Sequence, residues 1–306
     1  MDDWLHPLLR FAHYALLLGL FGLLAFRELC LGRLAATGSL PELRGIVFTG
    51  AIVAPVISAA LILVAIAEMM GQQVAALEWA TIEVMVASTN LGWAFAARLA
   101  LLIAAIGALA LPPKPWSRAA AAILLGLAIA TLPWSGHAAA NEGVLGLLHR
   151  LNDALHLLAS GLWLGAIGWF AYLVLAAHRQ PDRPVTATLL ETMHRFAPLG
   201  ATLVGIVAVT GILNAHLVFG LEMSIAVLGT PYGVLLAIKI ALVGAMLLFA
   251  ARNARLGPRA ARESLDGRLT AASLLPQLRS SLLTELSLAA LVIGCVALLG
   301  LMSPMA

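Results

Sequence analysis

Long apolar segments alternate with short polar connectors along the whole chain. A helix that crosses the hydrocarbon core of a bilayer needs about 20 apolar residues. The segments that meet or approach this length are 8–32, 46–70, 91–111, 118–135, 149–177, 196–220, 232–252 and 282–302. Residues 72–90 are too polar for a span, but their apolar positions recur at helical spacing, so we expect a helix along the outer interface. The pattern predicts an all-α polytopic membrane protein with eight transmembrane helices.

The connectors differ in charge, and this difference predicts the orientation of the chain. The connectors after the first, third, fifth and seventh segments hold most of the 18 Lys and Arg residues. Cytoplasmic connectors of membrane proteins are enriched in Lys and Arg. We therefore expect these four connectors in the cytoplasm and both termini on the outer side, an N-out and C-out arrangement.

The composition agrees with lipid as the solvent. Hydrophobic residues make up 62% of the 306 residues and charged residues 11%, whereas soluble domains are about half apolar and about a quarter charged. The net charge of +3 comes from the basic connectors, so we expect no nucleic-acid partner. Cys30 and Cys295 lie in different apolar segments and predict neither a disulfide framework nor a Cys-rich metal site.

Two short patterns recur 141 and 143 residues apart. A Thr, a Gly three residues later and a cation six residues after that occur at Thr89–Arg98 and at Thr230–Lys239. A His nine residues before a Gly occurs at His13–Gly22 and at His156–Gly165. An even number of spans in each unit gives both units the same orientation, so we expect two parallel four-helix repeats in one membrane domain. The expected repeats are residues 1–135 and 136–306.

Polar side chains of the metal-ligand type fall near the outer ends of the segments. The candidate metal ligands are His13, His137, His149, Asp153, His156 and His216. His149, Asp153 and His156 share one helix face, where Asp153 could hold one imidazole and leave its other nitrogen for a metal. Imidazole suits copper and zinc, and the methionines that fall on the same side favour Cu(I) over Cu(II). A histidine at a segment end can instead be an interfacial anchor.

Other polar residues within the segments have structural interpretations. Arg98 and Lys239 can extend to the membrane surface or pair with carboxylates. Asn214 could hydrogen-bond between helices or line a path. Glu285 is expected to begin the eighth span, where the helix dipole favours a negative charge, and a place in an inner exit is the alternative.

Motifs spread over nearly the whole chain resemble one family. They are RFAH at 10–13, GHAAANEG at 136–143, WLG at 163–165, RFAPLG at 195–200, TGILNAH at 210–216, TPYGVLLAIKIAL at 230–242 and AARNAR at 250–255, followed by Glu285. In this order and spacing they resemble the copper resistance protein D (CopD) family. The resemblance implies an eight-helix bacterial inner-membrane protein linked to copper tolerance or to copper uptake from the periplasm. By this resemblance, the expected metal-site residues are His13, His137, His149, Asp153 and His156. The resemblance extends less directly to His216.

The leading hypothesis is a copper-handling membrane protein rather than an enzyme. Copper would bind at the outer histidine cluster and pass between the two four-helix halves toward the cytoplasm. No GxxxxGK[ST] string is present, so we expect transport that is passive or coupled to another gradient. Because the chain shows no Met-rich periplasmic domain, we also expect a separate copper-delivering protein in the periplasm. A protein that senses or holds copper without conducting it is a further alternative.

A rival hypothesis is a haem-bearing membrane redox protein of the cytochrome b or haem A synthase type. A bis-histidine haem needs two imidazoles on facing helices at equal depth. The second half offers His156 with His216, whereas the first half offers only His13 with His137 of the following connector. The repeat therefore does not reproduce a haem pair, and copper is favoured.

Overall fold

The architecture is that of a computed structural model, which describes residues 4–38, 40–135, 141–179, 183–220, 224–265 and 271–303. These residues are mostly helical and contain no strand. The helices are α1 Leu5–Cys30, α2 Gly32–Ala36, α3 Arg44–Met69, α4 Trp79–Ser88, α5 Asn90–Ala110, α6 Pro115–Ala130, α7 Gly143–Arg179, α8 Arg183–Phe219, α9 Ser224–Leu228, α10 Pro231–Leu265 and α11 Ala271–Leu299.

Eight of the described helices are long and apolar enough to cross a membrane, which confirms the predicted all-α, eight-span fold. The other three, α2, α4 and α9, are short. Helix α4 occupies part of the segment expected at the outer interface. It packs against α5 and buries none of its own residues. The N-out and C-out orientation stays a prediction.

Three helices extend well beyond the apolar segments that predicted them. Helix α8 begins at Arg183, before the span expected from residue 196. Helix α10 continues to Leu265, through most of the connector expected at 256–268. Helix α11 begins at Ala271, before the span expected from residue 282. Ala, Leu, Arg and Glu are good helix formers in water as well as in lipid. The apolar pattern therefore marked the part of each helix that suits the membrane, and it was wrong about where these helices end.

Helix α7 lies at the centre of the bundle and packs against α1, α6, α8 and α11. It crosses α1 at Gly22 and Gly165, where the two backbones touch. A Cβ on Gly22 would collide with the carbonyl oxygen of Gly161, and a Cβ on Gly165 would collide with that of Gly22. Small residues allow membrane helices to approach this closely. The crossing leaves no space for an ion between the two helices.

The long helices of the two halves pack in the same order. In each half the first contacts the second and the fourth, and the third contacts the same two helices. The third helices also begin alike, since Thr89 accepts a hydrogen bond from Gly92 N at 2.9 Å and Thr230 accepts one from Gly233 N at 3.1 Å. These agreements support the predicted repeat, and the duplication itself stays a prediction.

We expect Gly22→Ala and Gly165→Ala to destabilise the protein, because each new methyl group would overlap the backbone of the neighbouring helix. Overpacking of this kind costs about 1–3 kcal/mol. Gly19→Ala on the same helix is the matched control, since no atom lies within 4 Å of a Cβ added there. Thermal unfolding of the purified protein in detergent measures the effect, and equal melting temperatures for the three variants would contradict the close crossing.

Candidate functional site

His156 of α7 is oriented by a threonine of α8. Its Nδ1 lies 2.9 Å from Thr210 Oγ1, and the Thr210 hydroxyl donates its hydrogen to Ile206 O at 2.6 Å. A hydroxyl has a single hydrogen to donate, so Thr210 accepts the bond from His156 Nδ1–H. The Nε2 atom of a neutral His156 therefore carries the lone pair. Metal-binding histidines are held in this way, with one nitrogen donating to a protein oxygen and the other directed at the metal.

A chain of amide hydrogen bonds joins α7 and α8 beside His156. Asn152 Nδ2 donates to Thr210 O at 2.9 Å and to Asn214 Oδ1 at 2.7 Å. Asn214 Nδ2 donates in turn to Asp153 Oδ1 at 2.9 Å. The predicted role of Asn214 as a link between helices is confirmed. The chain fixes the Asp153 carboxylate about one helical turn from His156.

Lys239 of α10 supplies a cation to the same region. It interacts electrostatically with Asp153, with His156 and with Cys295 of α11. The charges of Lys239 and Asp153 are opposite, so they offset each other in a setting where an unpaired charge is costly. We refer to His156, Asp153, Lys239 and the surrounding amide chain as the second-half polar site.

His149 lies two turns closer to the start of α7 and is buried. Asn141 Nδ2 donates to His149 Nδ1 at 2.8 Å and to Leu217 O at 3.3 Å. Gly146 permits this approach, because a Cβ at that position would collide with the Asn141 carbonyl oxygen. The Nδ1 lone pair of His149 is therefore used by Asn141. A metal at this nitrogen would have to displace the Asn141 amide.

His13 occupies a related position in the first half. It is 2% exposed, and its Nε2 lies 2.6 Å from Ser58 Oγ of α3. Two cations, Arg98 and Arg10, act on it electrostatically. Arg98 is fixed by Thr131, through Nε to Oγ1 at 2.8 Å and through Nη2 to the carbonyl oxygen at 3.1 Å. His13 therefore sits in a more positive environment than His156.

The candidate ligands do not form one cluster within the described part of the chain. There, no three His, Cys, Asp or Glu side chains come together as a group that could hold a metal ion. His13 and His156 each contact a hydroxyl of their own half, and His216 is exposed in the last turn of α8. His137 lies outside the described residues. The expected convergence of histidines from both halves is not present among the described residues, and a copper role for each residue stays a prediction.

Comparison with known proteins decides the family. Residues 1–147 match the family described as copper resistance protein D-like, N-terminal domain, and residues 190–299 match copper resistance protein D. Copper resistance protein D of Pseudomonas syringae pv. tomato is 34% identical over 312 residues, which cover 99% of this chain and 98% of that protein. The chain belongs to the copper resistance protein D family. The resemblance read from the sequence motifs is thereby confirmed.

Two further relatives of this CopD-family chain match part of its length. Copper transport protein CutJ of Bacillus subtilis (strain 168) is 32% identical over 139 residues, 45% of this chain and 24% of CutJ. Inner membrane protein YebZ of Escherichia coli (strain K12) is 31% identical over 121 residues, 39% of this chain and 38% of YebZ. No solved structure matches the chain. Together with the eight apolar helices, these relatives identify a multi-pass inner-membrane protein.

The haem hypothesis finds no support in the CopD-family fold. The pair considered for a haem was His156 with His216. His156 lies beside Thr210, whereas His216 is six residues further along α8, a rise of about 9 Å. The two imidazoles are therefore not at the equal depth that a bis-histidine haem requires.

Sequence reasoning missed the groups that orient the histidines and misjudged Glu285. Ser58 is a single hydroxyl within an apolar segment, and Thr210, although it begins the TGILNAH motif, was not connected with a histidine. Glu285 was expected at the start of a helix, but α11 begins at Ala271, so Glu285 lies in the middle of the helix. The favourable helix-dipole interaction expected for it is therefore absent.

We expect Asp153→Asn to lower the free energy of unfolding by roughly 2 kcal/mol, because Lys239 loses the charge that offsets its own. Adding Lys239→Met should recover part of this loss. The control is Glu191→Gln, since Glu191 is an exposed residue paired with Arg33 and Arg195 at 2.9 Å, and such pairs contribute at most about 1 kcal/mol. Unfolding in detergent that is identical for Asp153→Asn and the wild type would contradict this electrostatic role.

Proposed function

We propose that this CopD-family protein takes up copper at the second-half polar site and moves it across the inner membrane. The observation that supports this most directly is the hydrogen bonding of His156. Its Nδ1 donates to Thr210, and the Thr210 hydroxyl is committed to Ile206 O. In this tautomer Nε2 carries the lone pair, which is the form in which an imidazole can bind a metal. Relatives named for copper resistance and copper transport support copper as the cargo.

The charge balance of the site suits a cation. A bare cation within a membrane needs an anion nearby, and Asp153 supplies one next to His156. Lys239 already offsets the Asp153 charge, so an arriving copper ion would compete with the lysine for the carboxylate. Binding would then free the Lys239 ammonium to move toward another partner. The net charge of the buried region stays constant in this exchange if Lys239 releases its proton as Cu(I) binds.

His149 and His137 complete an entry route in this proposal. His149 lies seven residues before His156 on α7, about 10 Å along the helix axis. Its Nδ1 is held by Asn141, which directly follows the connector that carries His137. Copper would reach His149 by displacing Asn141 and would then pass by Asp153 to His156. Imidazole ligands, with the methionines that the sequence assigns to the same side of the membrane, favour Cu(I) over Cu(II) in this role.

His13 is not included among the ligands of this proposal, although the sequence favoured it. Arg98 and Arg10 both act on its ring, and like charges a few ångströms apart repel strongly where the dielectric constant is low. We therefore propose a structural role for His13 in linking α1 to Ser58 of α3. His216 is exposed at the end of α8 and can serve as an anchor at the membrane surface.

The proposed path runs inside the second half rather than between the halves. The Gly22–Gly165 contact closes the space between α1 and α7 at their crossing. The residues of the second-half polar site belong to α7, α8 and α10, and Cys295 of α11 interacts with Lys239. With the basic connectors in the cytoplasm, the site would face the periplasm. A separate periplasmic protein would deliver the copper there.

We expect His156→Ala to weaken copper binding about tenfold or more, whereas His13→Ala should leave it unchanged. The two histidines form a matched pair, because each contacts one hydroxyl and lies nine residues before the central crossing. Copper retained by each purified, folded variant after Cu(I) loading and desalting is measured by elemental analysis. His178→Ala, at an exposed position in the last turn of α7, is the second control. Retention by His156→Ala equal to the wild type would refute the site.

Transport itself is tested in sealed proteoliposomes that contain a Cu(I)-sensitive dye. Wild-type protein should accelerate copper entry over protein-free liposomes, and His156→Ala should reduce the rate to the background. The His13→Ala variant should conduct like the wild type if it remains folded. A wild-type protein that binds copper but conducts none would instead support the copper-sensing or scaffold alternative.

A further inference from the structure

A second polar region lies in the same half of the bundle, away from His156. A cavity of about 250 Å³ is lined by α7, α8, α10 and α11. Its lining is mostly apolar, with Trp163 of α7 among the residues, but it also includes Glu285, Asn253, Met193 and His194. We call this space the Glu285 cavity. Its volume exceeds that of several water molecules, each of which occupies about 30 Å³.

Glu285 is the unusual member of this lining. It is 2% exposed and accepts a hydrogen bond from Asn253 Nδ2 at 2.5 Å. Among the residues that the structure describes, no Lys, Arg or His forms an ion pair with it. A buried carboxylate within a membrane-spanning helix is costly unless a proton or another cation accompanies it. The cavity beside Glu285 gives such a cation room to bind.

A second polar atom in the Glu285 cavity also lacks a partner. Asn253 directs its Nδ2 to Glu285, and its buried Oδ1 has no hydrogen-bond partner among the described residues. Buried polar atoms are almost always paired. Among the described residues, an amide oxygen without a hydrogen-bond partner thus lies beside a carboxylate without an ion pair, and both groups offer oxygen atoms to a ligand. These two groups create a place that attracts a cation.

The soft ligands of the cavity come from a neighbouring stretch of α8. Met193 and His194 both line it, and a thioether with an imidazole favours copper, particularly Cu(I). A site built for a hard cation such as Mg²⁺ would not use a thioether. The cavity therefore combines an anion that can neutralise the ion with two ligand types that prefer copper.

We propose that the Glu285 cavity is a second copper site, which receives the ion from His156 before it is released. The inference rests on the proposed function and deepens it. Trp163 lines the cavity and lies seven residues after His156 on α7, about 10 Å along the axis. It is buried between the two sites. Met193 and His194 lie near the start of α8, the end of that helix opposite to Thr210.

Copper binding in the Glu285 cavity is tested in a protein that lacks the histidine ligands of the proposed entry route. The background is His149→Ala with His156→Ala in the full chain, purified in detergent and loaded with Cu(I). We expect this protein to retain about one copper ion per chain, and adding Glu285→Gln or Met193→Leu should remove it. X-ray absorption of the copper retained by the background protein should show a sulfur ligand.

Matched controls separate ligand loss from general damage. Met246→Leu changes a buried methionine of α10 that does not line the cavity, and Glu191→Gln changes an exposed glutamate of α8. Both should retain the copper. The inference is overturned if the background protein holds no copper, or if it holds the same copper with Glu285→Gln and Met193→Leu as without them. A failure of the second-half polar site gives a different result, because His156→Ala alone would then retain as much copper as the wild type.

Discussion

The contact between α1 and α7 at Gly22 and Gly165 governs where both histidine sites lie. His13 precedes Gly22 by nine residues, and His156 precedes Gly165 by nine. Both rings are therefore at the same end of the bundle, about 14 Å along their helices from the crossing. Each ring meets its hydroxyl partner on the next helix of its own half, Ser58 or Thr210. The glycine contact thus separates two polar sites that a looser packing could have merged.

The two halves share a plan but differ in charge. Each contains a histidine on its first helix, a hydroxyl on its second and a cation on its third. In the second half Asp153 offsets the cation Lys239, whereas in the first half Arg98 and Arg10 both act on His13. An additional cation is repelled by the two arginines of the first half and tolerated beside the Asp153–Lys239 pair of the second half. This difference in charge is the basis for proposing copper binding in the second half and helix linkage in the first.

The second half also holds polar groups at two depths. The His156 network is formed by α7, α8 and α10, and the Glu285 cavity is lined by these helices and α11. Trp163, which lines the cavity, lies seven residues after His156 on α7. Each region combines a carboxylate with an imidazole, so a cation in either place would have both a counter-charge and a ligand. Two separated sites of this kind suit a protein that transfers an ion in steps. The closed crossing of α1 and α7 makes a path between the halves less suitable.

The sequence by itself determined the number of spans, because a length of apolar chain is sufficient to specify a helix in lipid. It also indicated the family and the face shared by His149, Asp153 and His156, since spacing along one helix fixes which side chains are neighbours. The starts of α8 and α11 and the end of α10 were not determined, because helix propensity continues beyond the apolar segment.

Only the tertiary structure decided which residues meet across helices. The pairing of His156 with Thr210, the two arginines beside His13 and the cavity at Glu285 all depend on helix rotation and approach. Glu285 shows what the apolar pattern does not determine. The pattern placed this residue at the start of a helix, whereas the structure places it in the middle of α11 beside Asn253. Contacts between distant segments depend on packing at particular points such as Gly22 and Gly165. A one-dimensional pattern does not contain that geometry.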